Sequence, residues 1–315
     1  MKCKKILTAL LAAACTMSGC HGDLDIMQDN KLSASNMWID ESDAETATYG
    51  IYLYMRDALK SVHDIYLCWG EFRNGLWGAG TNKTLSGVDQ TQVRTSTMSS
   101  SNAYADWSVM YKTVNQANLI LKHVPEMGIS ESVRNFSLGN AYFSRAWCYF
   151  WIARIWGDAP LALTGYESTG GDLYLPRAPK AEIFARIESD LTEAERYVTD
   201  NSDKAVATPA AVQMLKADYA LWMDRVAGGG SSYLTMAEKA IEALNLSASR
   251  LESDYAQVFS SANKLNKEVI FAVHQANGEA VNGPGYYLGW NSNYVEAAYQ
   301  NNPVPITGGN QWWWY

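Results

Sequence analysis

Apolar residues recur every three or four positions through most of the middle of this chain, which is the period of one helix face. Ala44, Ala47, Ile51, Tyr54, Met55 and Ala58 form the first such stripe, and Ser42 with Glu45 has the spacing of a capping box at its start. A second helix is predicted over about residues 105–124, with Trp107, Met110, Tyr111, Val114, Ala117 and Leu121 on one face and Pro125 and Gly128 behind it. The third, about 133–156, is apolar nearly all round (Phe136, Tyr142, Phe143, Trp147, Tyr149, Phe150, Trp151, Ile155, Trp156) and stops at Gly157-Asp158-Ala159-Pro160. A helix of that kind must be covered on several sides. Three more follow at about 180–198, 209–226 and 234–246, the second with Thr208 as N-cap and Pro209 in the first helical position. Gly228 to Ser232 is read as the loop between the last two. Val269 to Val273, behind the polar run Asn263 to Glu268, reads as a turn into a buried strand.

Helices joined by short turns predict a mainly α fold: stacked helical hairpins of the tetratricopeptide kind, with long irregular ligand loops. No clean 34-residue repeat is visible, so this expectation rests on helix order. Two long polar stretches, 64–101 and 274–315, contain glycines and aromatics and do not read as helix. Loops of that length are uncommon unless functional.

The first residues read as an address. Lys2, Lys4 and Lys5 precede an apolar run of twelve residues, 6–17, too short for a membrane-spanning helix of about twenty residues. Met17-Ser18-Gly19-Cys20 then resembles a bacterial lipobox, in which Cys20 would carry the lipid and residues 1–19 would be removed as signal peptide. That removal takes three Lys and no acid, and sharpens the net charge from −8 to −11. Of five Cys, only Cys68 and Cys148 would then remain as thiols, too few for a disulfide framework. Cys148 sits in an apolar helix, where a buried thiol is expected.

With 48% hydrophobic and 18% charged side chains the chain can bury a substantial core. Its acidity and the lack of a basic stripe argue against nucleic acid as a partner. Enzyme signatures are missing too. The four His (His21, His63, His123, His274) lack the spacing of a zinc helix, no CxxC pair occurs, and neither phosphate-binding glycine loops nor a Gly-x-Ser-x-Gly elbow appears. A glycosidase needs only two carboxylates about 5 to 9 Å apart, but Glu182, Glu188, Asp190, Glu193 and Glu195 read as a solvated helix face. No catalytic residue, metal or cofactor is expected.

The run from Gly139 to Phe150, continued by Ile152, Arg154 and Trp156 to Leu161, resembles the signature helix of the SusD/RagB family of Bacteroidetes outer-membrane lipoproteins. Trp107, Tyr111, Asn115, Asn118 and Leu121 agree in order, as do Arg177-Ala178, Asp190-Leu191, the stretch Ala207 to Ala211, and Glu268 to Phe271. The resemblance implies a SusD-like α/α superhelix over residues 20–273. Residues 274–315 would then begin the C-terminal ligand-binding region, and the chain would be a C-terminally incomplete member. It also implies an outer-membrane lipoprotein facing the cell exterior, which binds glycan and delivers it to a SusC-like TonB-dependent transporter. The short acidic stretch His21 to Asp25 is similar to a surface-export signal, although Cys-His-Gly departs from the commoner pattern. In this family Arg145, Trp147, Tyr149 and Trp156 are read as scaffold.

Ligand contacts do not carry over by motif, so they are argued from chemistry. A glycan platform stacks flat aromatics on sugar C–H faces and binds hydroxyls through bidentate polar groups. Trp69, Glu71, Arg73, Asn74 and Trp77 supply both within nine residues, and Tyr287, Trp290 and Asn291, with Tyr286 and Tyr294, form a second candidate group. Packing against the scaffold is the competing reading for each. Rival functions are a peptide binder of the same family, a lipid-anchored glycoside hydrolase, and a helical assembly scaffold with no small ligand.

Overall fold

The computed structural model describes residues 37–70, 88–168, 170 and 173–275, and every element below belongs to the compact unit that begins at Asp40. Eight α-helices occur among the described residues: α1 (Glu41–Gly70), α2 (Val88–Thr95), α3 (Ser108–His123), α4 (Glu131–Trp156), α5 (Lys180–Tyr197), α6 (Pro209–Arg225), α7 (Ser231–Ala243) and the single turn α8 (Tyr255–Val258). The described strands, β1 (Ala159–Pro160) and β2 (Arg177–Ala178), pair antiparallel with Ala159 opposite Ala178. The mainly α, hairpin-stacked fold expected from the helix order is the fold observed.

α4 is the centre of the packing. Leu138, Ala141, Phe143, Ala146, Cys148, Tyr149, Phe150, Ile152 and Ala153 are all buried along it, because α1 and α3 cover one side while α5 and α6 cover another. Gly139 makes the α4 to α5 approach possible: a Cβ there would stand 2.6 Å from a methyl of Val198 and 3.2 Å from the carbonyl carbon of Tyr197. The following Tyr142 then stacks on Tyr197, with ring centroids 6.0 Å apart. α6 and α7 form the next hairpin, and Thr208 caps α6 as expected by accepting a bond from the N–H of Ala211 at 3.1 Å.

A buried polar knot ties three of these elements together. Arg145 of α4 binds Asp190 of α5 in bidentate fashion, Nε to Oδ2 at 2.8 Å and Nη2 to Oδ1 at 2.7 Å. Its remaining Nη1 donates to Asn118 Oδ1 of α3 at 2.8 Å. Asp190 is 0% exposed and Arg145 4%, and Arg186 reaches Asp190 from the rim at 3.3 Å. This corrects the expectation that Asp190 lies on a solvated face. Glu188 also turns inward, where it accepts the hydroxyls of Tyr219 on α6 and Tyr233 on α7, each at 2.7 Å. A second knot joins α1 to α4: Tyr52 and Asn140 bond to each other, and both accept the N–H of Ala207, at 2.7 and 2.9 Å.

Several boundaries differ from the sequence reading. The cap of α1 is a reciprocal pair two residues upstream of the expected one: Asp43 N–H donates to Asp40 Oδ1 at 3.2 Å and Asp40 N–H to Asp43 Oδ2 at 3.3 Å. α1 also continues to Gly70, well past the expected loop start at 64. Buried Ile65 and Cys68 extend the stripe seven and ten residues beyond Ala58, so tertiary cover carries the helix through polar sequence. Within 64–101, α2 also replaces expected loop, and a 3-10 turn (Ala103–Ala105) lies just beyond it. Residues 269–273 do not form the expected strand. Their backbone is held instead by a bond from Ala272 N–H to the Lys204 carbonyl at 2.9 Å. Cys68 and Cys148 are both buried and no disulfide joins them; burial pushes the Cys148 thiol far up.

Removing one member of the Arg145 and Asp190 pair leaves the other charge buried and uncompensated. Asp190→Asn or Arg145→Met is therefore expected to lower unfolding free energy by about 3–5 kcal/mol in a urea titration. Gly139→Ala should also destabilise, by about 1–3 kcal/mol, through overpacking against Val198. That sign is opposite to the roughly 1 kcal/mol that Ala contributes over Gly in an open helix.

Candidate functional site

Five of the twelve Trp form one connected array. Trp69 at the end of α1 packs on Trp151 and Trp156 of α4, with centroids 5.8 and 5.2 Å away. Trp156 meets Trp107 at 6.2 Å, Trp107 meets Tyr111 at 6.1 Å, and Trp147 meets Trp151 at 5.8 Å. Most of these contacts are edge-to-face or tilted, the arrangements favoured by the ring quadrupoles and worth about 0.5–1.5 kcal/mol beyond burial. Two indole N–H groups are spent on backbone, Trp69 on Tyr104 O at 2.9 Å and Trp156 on Ala105 O at 3.1 Å. The array thus clamps the 3-10 turn Ala103–Ala105 against α1 and α4.

Beside the array, the chain after β1 is laid along α3 by side chains at helical spacing. Tyr111 donates to Pro160 O at 2.6 Å, and Asn118 and Tyr149 both donate to Ala162 O, at 2.9 and 2.8 Å. Asn115 pairs with the backbone of Tyr166 in both directions, donating at 3.0 Å and accepting at 2.7 Å. Gly165 permits the close approach, since a Cβ there would meet Leu119 N at 2.8 Å. Glu167 closes the segment against Lys122 and His123, both at 2.6 Å. The hydrogen bond from Lys122 comes first among the causes that hold its carboxyl below the usual range.

Between this segment and α3 lies a cavity of about 330 Å3, lined by Trp107, Tyr111, Tyr166, Leu173 and Leu175 among others. Its size suits a small ligand. Its chemistry does not suit a sugar: the Asn115 and Asn118 amides at its wall are committed to backbone, and Arg177 lies 4.7 Å over the Trp107 ring, a cation–π contact that covers one face.

Of the eight ligand residues expected from sequence, the structure describes Trp69 alone. Trp69 lies in α1, half-buried within the array, where its ring and N–H serve the scaffold. Glu71, Arg73, Asn74, Trp77, Tyr287, Trp290 and Asn291 lie outside the described residues, as does Cys20. The array does define the base from which residues 71–87 leave α1. The wall residues Trp107 and Tyr111 belonged to the predicted α3 stripe; Tyr166, Leu173 and Leu175 had no periodic signal to announce them. Among the described residues no helix is long and apolar enough to cross a membrane.

Fold and packing together define a class: an α/α helical scaffold that carries an aromatic array around the end of α1. Residues 79–221 match the SusD-like family model described as "Starch-binding associating with outer membrane". The SusD-like protein P38 of Formosa agariphila is 24% identical over 215 residues, 68% of this chain and 41% of the relative. Among solved structures, B. fragilis NanU superposes with a TM-score of 0.71 at 28% identity over 84% of this chain and 54% of that one. A SusD superfamily protein from Bacteroides fragilis gives 0.72 at 26% identity, over 88% and 60%. These matches bear out the resemblance to the SusD/RagB family, and the chain covers 41% of the length of that relative and 54% and 60% of those two structures.

Asn115→Asp puts an acceptor where the Tyr166 carbonyl needs a donor. It is expected to raise hydrogen exchange across residues 160–168 at least tenfold while leaving α5 to α7 protected. Glu167→Gln should loosen the same segment at neutral pH. A carboxyl whose pKa is depressed by folding contributes above the ordinary carboxylate range and loses that contribution as pH falls through its lowered value. The difference between wild type and Glu167→Gln is therefore expected to vanish on acidification, as read by the same exchange experiment.

Proposed function

We propose that this protein is a surface-exposed outer-membrane lipoprotein that binds oligo- or polysaccharide and passes it to a SusC-like TonB-dependent transporter. The observation that carries the reading is the match of residues 79–221 to a family described as starch-binding and associated with the outer membrane. In this reading residues 1–19 are the signal peptide, Cys20 carries the lipid, 20–273 form the helical domain, and 274–315 begin the ligand-binding region. Binding without chemistry is its business. Trp77 and Trp290 stack on sugar faces, while Glu71, Arg73, Asn74, Tyr287 and Asn291 take the hydroxyls from loops seated on a rigid base. In support, the array packs around the last residues of α1, directly before the candidate ligand residues in sequence, and a rigid neighbour lowers the entropy lost on binding.

Titration calorimetry with a panel of neutral oligosaccharides and of peptides tests the ligand class. Binding to a saccharide is expected, with Trp77→Ala and Trp290→Ala each weakening it roughly tenfold, from about 1–1.5 kcal/mol of stacking. Peptide binding alone would shift the reading to the peptide-importing branch. Reducing ends released from a polysaccharide would make it a hydrolase. Cys20→Ala is expected to move the protein from the membrane fraction to the soluble one and to abolish incorporation of labelled palmitate.

A further inference from the structure

A different cavity lies away from the aromatic array, where the first turns of α1 and α4 meet the end of α5. It holds about 470 Å3, and its lining includes Glu45, Tyr49, Asn135, Phe136, Tyr197 and Asp200. That volume falls within the roughly 300–1,000 Å3 of small-molecule sites. Tyr49 is 51% exposed, and its ring stands 5.8 Å from that of Phe136 at an angle of 54°. Flat aromatic surface is therefore open to a visitor instead of being used up in the core, in contrast to the array around Trp69.

The charge on this cavity has one sign. Among the described residues no Lys or Arg lines it. Arg196, next in sequence to Tyr197, is held over the Tyr197 ring at 5.0 Å and by Glu193 at 3.7 Å. Glu45 sits one turn before Tyr49 on the same face of α1. Asp200 is kept ionised by the hydroxyl and N–H of Ser202, at 2.7 and 2.9 Å, which hold its carboxyl below the usual range. The Tyr49 phenol registers the resulting field: burial pushes it up first, and then Asp203, Glu45 and Asp200 push it further. The Tyr49 and Phe136 rings beside the carboxylates of Glu45 and Asp200 can attract an organic cation, by cation–π and by direct charge attraction, while Arg196 occupies the Tyr197 ring. Asn135, Ser132 and Thr199 add amide and hydroxyl groups of the kind that bind sugar hydroxyls.

We propose that this cavity is a saccharide subsite for a sugar unit bearing a free, protonated amine, with the amine between Glu45 and Asp200 and the pyranose face on Tyr49. It uses none of the residues to which the import reading assigns neutral glycan, and it rests on the cavity's own residues.

Calorimetry on the full chain at low salt tests it with three probes: β-1,4-linked glucosamine disaccharide, its fully N-acetylated counterpart, and lysine methyl ester. The amine disaccharide is expected to bind at least tenfold more tightly than the acetylated one, and to weaken with added salt. Glu45→Gln and Tyr49→Ala should each cost it about tenfold, whereas Tyr49→Phe keeps the ring and most of the affinity. Glu45 and Tyr49 lie at the surface of α1, so unchanged circular dichroism and melting temperature would show that the fold is intact in both variants. Equal binding of the acetylated disaccharide, no binding of the amine form, or indifference to Glu45→Gln would each overturn the proposal. Lysine methyl ester binding as tightly as the disaccharide would overturn the saccharide assignment. Neutral glycan binding that is lost in Trp77→Ala and kept in Glu45→Gln would separate the two sites, so either reading can fail without the other.

Discussion

The buried ion pair between Arg145 and Asp190 is the constraint around which the rest of the described structure is arranged. Two charges withdrawn from water cost several kcal/mol each unless every donor and acceptor finds a partner. Here the guanidinium spends two nitrogens on the carboxylate and a third on Asn118. Asn118 in turn donates to the carbonyls of Ala162 and Thr164. One satisfied network therefore sets the register of α3, α4 and α5 and also the path of the chain after β1. Apolar packing alone would tolerate a slide of one helix along another. The forked geometry does not, and Gly139 lets α5 approach closely enough for the fork to close.

The tryptophans follow from the same need for order. A chain with twelve Trp invites the thought that most of them face a ligand. Five of them, Trp69, Trp107, Trp147, Trp151 and Trp156, instead form a continuous array at one end of α4, with two of their N–H groups bonded to the Ala103–Ala105 turn. An indole buries a large area, and a buried N–H without a partner would cost much of that gain. The backbone carbonyls of Tyr104 and Ala105 supply the partners, which is why this turn is drawn onto the helices. The array is structural material that packs around the end of α1.

Aromatic residues at the cavity near the start of α1 behave differently, since Tyr49 keeps half its surface in solvent beside the Glu45 and Asp200 side chains. The contrast is one of environment and not of residue type. Tyr52, three residues later on the same helix, is locked between Asn140 and Ala207 and has its phenol pushed far up by burial.

The six main helices and their order, the apolar centre at α4, the Thr208 cap and the family signature were legible in the order of residues, because each depends on spacing within ten or twenty positions, whereas the short helices α2 and α8 were not. Asp190 was misread as a surface acid for the complementary reason. Its partner lies 45 residues away, and nothing local distinguishes a buried carboxylate from a solvated one on a helix that carries many acids. The continuation of α1 through polar sequence, the Asp40 and Asp43 cap, and the failure of Val269 to Val273 to become a strand were likewise decided by tertiary contacts. A strand needs a neighbour to pair with, and the Lys204 carbonyl offers one bond instead of a ladder. By itself, then, the amino-acid order determined the six main helical segments and the family pattern they resemble. Only the folded chain decided which charges are buried, which rings are scaffold and which remain open, since those depend on groups brought together from distant positions at a distance of a few ångströms.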